Sequence, residues 1–236
     1  MFVNYKTSGV FLKEIDKGEA DQLFTIYTKD FGRLEVMGKG IRKMTSKLRS
    51  QTRILSLSDV EFIQGKAGKT LTGSIIRDKF GEIGADLNKT ETAKKIAQLM
   101  AKALRGQERD EKSWSLLLET LLFLKKTDLR ETAAVYHYFF WNLLAGLGYR
   151  PQLDVCCFCK LKPACGIIYF EPGDGGISCK ACRPPDARDF QIDSGILRIL
   201  KFFEESNVET ASRIKLTESQ KNKLEAISTG FLDTIL

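Results

Sequence analysis

Residues 23–37 read Leu23-Phe-Thr-Ile-Tyr-Thr-Lys-Asp-Phe-Gly-Arg-Leu-Glu-Val-Met37, two β-branched and aromatic runs split by Lys29-Asp30-Phe31-Gly32. Asp and Gly in the break supply the tight reversal of a hairpin, so the two runs are expected to pair as antiparallel strands over 23–28 and 33–37. Working outward, similar short runs occur at 9–15, 55–63 and 71–77, and no amphipathic helical stripe competes with them. Five strands in about eighty residues fit a small barrel of the oligonucleotide-binding (OB) type.

The period changes near residue 83. From Asn88, with the cap-like pair Asn88 and Glu91, apolar residues fall on a helical stripe of Ile96, Leu99, Met100, Ala103 and Leu104. Further stripes run through Trp114 to Leu122 and Val135 to Leu147, where Gly148 is placed to end the helix. Two more follow at 196–203 and, behind the capping box Thr217 and Gln220, at 224–231. Between them, residues 149–190 form an irregular, loop-rich insert that gathers the prolines and all six cysteines. The expected class is α+β: a five-stranded OB-like barrel over 1–82, then a helical domain over 83–236 carrying the insert at about 149–190.

Cys156-x-x-Cys159 and Cys179-x-x-Cys182 are separated by 19 residues, a spacing typical of a two-knuckle zinc ribbon. Each tight turn aims two thiolates at one centre, and four thiolates complete the tetrahedral shell that Zn²⁺ accepts. Four protein ligands leave no open position for water, so the expected role is one structural ion per chain and no hydrolysis. The rival readings are unrelated free thiols and a redox pair. A redox C-x-x-C sits singly at a strand-to-helix junction, whereas this chain has two in loops. Cys157 and Cys165 are surplus, and only Cys156 keeps the two-residue gap to Cys159.

The net charge is +7, and the N-terminal third is its basic part. Lys39, Arg42, Lys43, Lys47, Arg49 and Arg53 follow one another with no acidic residue between them. Such a run tracks phosphates or is only a solvated loop; the neighbouring barrel favours phosphates. Lys39, Arg42, Lys43, Lys47 and Arg49, with Arg33 on the hairpin, are the candidate DNA contacts. Phe24, Tyr27 and Phe31 are expected to pack in the core more than to stack on bases.

Other motifs fail. Gly68-Lys69-Thr70 imitates the end of a P-loop, but the required first glycine falls on Ile63 and a strand follows, so residues 65–70 are taken as a hairpin loop. His137 is the only histidine; no nucleophile motif accompanies it, so a packed imidazole is expected. Glu171 and Asp174 are expected in turns. No apolar run approaches the ~20 residues needed to span a bilayer, and the N-terminus lacks the pattern of a secretory signal. An intracellular protein is expected.

Three blocks of sequence resemble a known family. They are Gly18 to Leu34 with Gly38 to Lys43 and Ser46 to Arg49, then Gly148 to Cys159, then Tyr169 to Pro172 with Gly175 to Cys182. In this order they are similar to the RecO family of bacterial recombination mediators. The resemblance implies an OB barrel, a helical domain, an embedded tetracysteine zinc site and no catalytic residues. It further implies binding to single- and double-stranded DNA, annealing of complementary strands, and loading of RecA onto strands covered by single-strand-binding protein. The implied partners are RecR, the C-terminal tail of single-strand-binding protein and, indirectly, RecA, in the nucleoid-associated bacterial cytoplasm. Lys125, Lys126, Arg130, Arg198 and Lys201 supply cations for a tail groove in the helical domain. Cys157, Cys165 and Lys160 depart from the family pattern. A metal-dependent nuclease and a zinc-ribbon RNA-binding protein are the competing classes; the first needs clustered carboxylates that the sequence does not display.

Overall fold

The computed structural model describes residues 3–128, 132–163, 167–183 and 190–236. It divides into two compact units, residues 1–128 and 129–236.

The first unit opens with β1 (Asn4–Lys17), β2 (Asp21–Thr28), β3 (Gly32–Gly38), β4 (Leu57–Gly65) and β5 (Gly68–Asp78). They close into a barrel in the order β1-β2-β3-β5-β4. All five runs expected from the sequence are strands; four are longer than their apolar stretch because ladder hydrogen bonds also recruit polar flanks, and the fourth keeps its length but starts two residues later, at Leu57. Lys69 and Thr70, expected in a loop, pair with Gln64 and Ile63, so the hairpin turn shrinks to Lys66 and Ala67. β1 serves two neighbours, pairing β4 through Asn4–Val10 and β2 through Gly9–Lys17, with a bulge at Leu12 where its ladder bends. The closing seam is short: β3 meets β5 in parallel through Val36↔Lys69 and Met37↔Thr70.

Inward-facing Phe11, Phe24, Ile26, Val36, Phe62 and Leu71 fill the barrel. Each large buried side chain contributes roughly 1.5–3 kcal/mol relative to exposure. Tyr27 is also buried, its phenol donating to Asp110 O at 3.3 Å; burial pushes that phenol up to about 12. Phe31 is partly buried against the same core. The three aromatics are therefore packing residues. Gly9 faces Ile26 so closely that an added Cβ would lie 2.7 Å from its Cγ2.

Three helices complete this unit: α1 (Gly81–Gly84), α2 (Leu87–Ala103) and α3 (Glu111–Lys126). The N-cap of α2 is Asp86, which accepts from Lys89 N at 2.9 Å. Asn88, expected to cap, lies inside the first turn: an Asx side chain caps from outside the helix, and Asp86 has the extended backbone this requires. α2 lays Ala93, Ile96, Ala97 and Met100 inward and packs on β1 and β2.

The second unit holds α4 (Ala133–Gly146), α5 (Ser194–Glu205), α6 (Val208–Ala211), α7 (Glu218–Ile235) and a small sheet of β6 (Gln152–Cys156), β7 (Ile168–Glu171), β8 (Gly176–Cys179) and β9 (Gln191–Ile192), ordered β6-β8-β7-β9. The capping box is present, Thr217 and Gln220 bonding reciprocally across the α7 N-terminus. The described part of the insert is thus a sheet, where loops were expected, and it does share a core. Phe170 on β7 packs edge-on against Trp141 of α4 and Phe231 of α7, at 5.8 and 5.6 Å between ring centroids. Glu171, expected in a turn, is a buried strand residue that accepts from Ser178 Oγ at 2.6 Å. His137 is buried on α4, with Nδ1 3.5 Å from Ser228 Oγ.

Candidate metal centre and nucleic-acid interface

The two C-x-x-C pairs sit at strand ends. Cys156 ends β6 and Cys179 ends β8, and the parallel pairing of those strands brings the two turns together. Gly176 permits that approach, since a Cβ there would stand 2.7 Å from Gln152 O. The sulfurs of Cys156, Cys159, Cys179 and Cys182 all lie within 4.8 Å of one another, close enough to ligate one metal ion together. Among the described residues this is the one group of three or more Cys, His, Asp or Glu side chains with that geometry.

The chemistry of the donor set fits a cation. Burial pushes the Cys156 thiol up, but backbone N–H groups of Cys159, Cys179 and Phe158 outweigh it and bring the thiol down to about 6. Cys182 is pushed up to about 12 because the sulfurs of Cys179 and Cys159 hold its proton in place. Four thiolates this close repel one another, and a bound cation takes the place of the shared protons. Cys157 points elsewhere and stays protonated, burial raising it to about 11. Cys165 lies outside the described residues. Lys160 takes the left-handed conformation after the first knuckle, at φ 61°, and anchors itself by donating from Nζ to Cys157 O at 2.6 Å.

The basic run forms the connection from β3 to β4. Ile41 is buried in the barrel core, and Leu48 and Ile54 pack against that core. Three apolar anchors thus hold the connection down while Lys39, Arg42, Lys43, Lys47, Arg49 and Arg53 stay exposed. Backbone bonds fix its start: Gly40 N donates to Asp21 Oδ1 at 2.6 Å and Arg42 N to Ala20 O at 2.9 Å. Its end is held by Leu55 N donating to Phe11 O at 2.8 Å, with Leu55 itself at φ 61°. A left-handed leucine costs roughly 1–2 kcal/mol, so the path of the connection is imposed by the barrel.

Arg33 is not part of this surface. It lies on β3, with Nη2 2.8 Å from Glu35 Oε1, and lines a separate cleft against α2. A larger cleft of ≈ 950 Å³ lies beside Lys47. Its cations are Lys6, Lys29, Lys47 and Arg77 and its acids Asp30, Asp59 and Glu61; Lys6 is paired with Glu61 and Arg77 with Asp59. Arg77 holds the Asp59 carboxyl below the usual carboxylate range, and Lys6 does the same for Glu61, 2.6 Å away.

A closed five-stranded barrel with an outward cationic connection, joined to helices and a tetracysteine centre, defines an OB-barrel protein with a four-cysteine group able to ligate a metal ion. Two family models cover nearly the whole chain: that described as Recombination protein O N terminal matches residues 1–79, and Recombination protein O C terminal matches residues 84–236. Among curated proteins the chain is 29% identical over 222 residues to the DNA repair protein RecO of Dehalococcoides mccartyi, covering 94% of this chain and 87% of the relative. It is 27% identical to that of Acetivibrio thermocellus (98% and 91% covered) and 28% identical to that of Moorella thermoacetica (98% and 86%). The chain belongs to the RecO family, whose members are recombination mediators in DNA repair and not enzymes. No described helix is long and apolar enough to cross a membrane.

Proposed function

We propose that this chain binds single- and double-stranded DNA through its barrel, anneals complementary strands, and with RecR helps load RecA onto strands coated with single-strand-binding protein. The observation that carries the reading is the β3–β4 connection, whose buried Ile41, Leu48 and Ile54 present a row of exposed cations. Lys39, Arg42, Lys43, Lys47 and Arg49 are assigned the main phosphate contacts, with Arg33 apart from them. Binding is tolerant of sequence, because the surface offers charge to phosphates and no element shaped to read base edges. The functional division falls near residue 83, the barrel taking DNA and the following chain taking partners, at the nucleoid in the bacterial cytoplasm.

The tetracysteine group is assigned one structural Zn²⁺ per chain. A tetrahedral shell with Zn–S of about 2.3 Å places its sulfurs about 3.8 Å apart, inside the 4.8 Å within which the four sulfurs lie. Zinc there would join the turns that end β6 and β8 and so brace the sheet beneath.

The tail of single-strand-binding protein is assigned to the helical region. Of the cations offered for it, Lys125 pairs with Asp78 at 2.7 Å and Lys201 with Asp154 at 2.6 Å, so these two are already engaged; Arg130 lies outside the described residues. The test of the whole reading is annealing of complementary strands coated with single-strand-binding protein, with no nucleotide or free metal added. Annealing supports a mediator. Cleavage of either strand would replace it with the nuclease reading, and tighter binding to RNA than to DNA of one sequence with the RNA-binding reading.

A further inference from the structure

Met44 is 93% exposed, the most exposed of the large apolar side chains among the described residues. A lone apolar residue at a surface is ordinary; what sets this one apart is how it is held. The β3–β4 connection has four other apolar residues: Ile41 is buried in the barrel core, Leu48 and Ile54 pack against that core, and Leu55 is half-buried. Met44 alone among them faces water. Ser46 N donates to Lys43 O at 3.0 Å and Lys43 N to Gly40 O at 3.2 Å, so Met44 stands at the corner of a hydrogen-bonded turn that follows directly on another. The core positions nearest these turns are taken by Ile41 and Leu48, and Met44 is left outside.

We propose that Met44 is a base wedge: when the connection takes a single strand of DNA, the Met44 side chain inserts between two bases and unstacks them. This rests on the assignment of the connection to DNA. Exposed Lys43 and Lys47 stand one residue before Met44 and three after it, and the turn brings the Cα atoms of Lys43 and Ser46 within about 7 Å. A strand whose phosphates lie on these two lysines therefore passes over the side chain between them. The flanking cations select a polyanion over a second apolar surface. Methionine suits the place. Its unbranched chain has no charge to desolvate, its thioether is polarisable and makes favourable contact with aromatic rings, and apolar residues of this kind wedge between base steps. A thioether against the face of a base makes no hydrogen bond to its edge, so the contact adds affinity without sequence preference. A strand opened at the wedge presents unstacked bases, which suits a protein that brings complementary strands together.

The experiment uses the full chain and a single strand carrying 2-aminopurine, whose emission rises when the base is unstacked, titrated at several salt concentrations. The wild type should raise the emission on binding. Met44→Gln, which keeps the length of the side chain and removes its apolar end, should lose that rise. It should also bind about two- to tenfold more weakly, the range of a sulfur–ring contact. The slope of log affinity against log salt should stay unchanged, because no phosphate contact is lost. Met44→Leu should keep the rise. An emission rise and affinity in Met44→Gln equal to those of the wild type overturn the proposal. A flattened slope overturns it too, by making residue 44 a support for the phosphate contacts. In either case, flattening of the slope by Arg42→Ala/Lys43→Ala in the same titrations shows that the reading of the connection stands and only the wedge falls. A wild type that does not bind the strand at low salt removes that reading itself. If Met44→Gln leaves DNA binding untouched and weakens association between copies of the chain in sedimentation, the turn is a protein contact, which also overturns the proposal.

Discussion

Arg42 Nη1 stands 3.3 Å from Asp16 Oδ2, tying the start of the basic connection to the far end of β1. The run from Lys39 to Arg53 contains no acid, yet the fold brings one to it. Both groups are about half exposed, so the pair itself adds little stability. On the proposed assignment of Arg42 to a phosphate its effect is on DNA, because Arg42 would have to leave Asp16 to meet that phosphate. Asp16→Asn should therefore raise affinity for single strands about two- to fivefold, from the roughly 0.5–1 kcal/mol of an exposed pair. In an Arg42→Ala background the same change should do less, and equal gains in both backgrounds would show that Asp16 acts on DNA without Arg42. Arg42→Ala/Lys43→Ala should flatten the salt slope on single strands by about 1.4, with metal content unchanged.

Metal content per chain, measured after single Cys→Ser substitutions, checks the tetracysteine assignment. One zinc in the wild type, a loss in Cys179→Ser and retention in Cys165→Ser are expected. Chelation should raise hydrogen exchange across β6 to β8 while leaving β1 to β5 protected, because the sheet would lose the tie at its cysteine ends but the barrel core contains no cysteine. Trp141 packs on Phe170 of β7, so its fluorescence should report the same event. Full zinc in Cys179→Ser would overturn the assignment.

Gly32→Ala should destabilise the first unit by more than about 2 kcal/mol. Gly32 has φ 60°, where a side chain costs roughly 1–2 kcal/mol. An added Cβ would also stand 2.3 Å from Glu108 O, a backbone atom that cannot swing aside. Urea unfolding measures the change; a loss below about 1 kcal/mol would mean that the 108 segment moves freely away from the hairpin.

Acid should loosen the attachment of α3 to the barrel. Partial burial raises the Asp78 carboxyl, and the hydrogen bond from Lys125 outweighs it, leaving the group below its ordinary value. A carboxyl lowered by folding stabilises the protein above its unfolded value of about 4 and loses that contribution as pH falls through the folded value. Lys125→Met should therefore lower the urea midpoint at pH 7 and narrow its gap to the wild type below pH 4. A gap that stays constant from pH 7 to pH 2.5 would show that the pair carries no linkage.

The barrel was legible because its strands alternate inward and outward residues and the hairpin at Asp30 and Gly32 is written locally. The two cysteine pairs were legible for a similar reason, each being a turn that sequence spacing alone defines. What escaped depended on distance. Nothing near Arg42 announces Asp16, and nothing near Arg33 announces the cleft it lines against α2, because each meeting follows from how β1, β3 and α2 pack. The sheet under the cysteines escaped because its strands are short, two to five residues, and broken by Pro and Gly. Lys160 gave no sign of its left-handed backbone, a place where Gly is the usual signal. Asp86 lost to Asn88 as the expected cap because both are Asx residues beside the same apolar stripe, and only the backbone angles separate them.

The parallel seam between β3 and β5 also governs the order in which the barrel can form. The hairpins β2–β3 and β4–β5 close locally, whereas Val36 must find Lys69 across the whole basic connection. Loop closure over that span carries an entropy cost before any contact repays it, so the seam forms late. During synthesis the cationic connection leaves the ribosome before its closing strand exists. Until β5 arrives, Ile41, Leu48 and Ile54 have no completed core to enter. The nascent chain therefore passes through a stage in which these apolar anchors and the neighbouring cations are exposed together, and mutations at the late-forming seam should speed unfolding more than they slow folding.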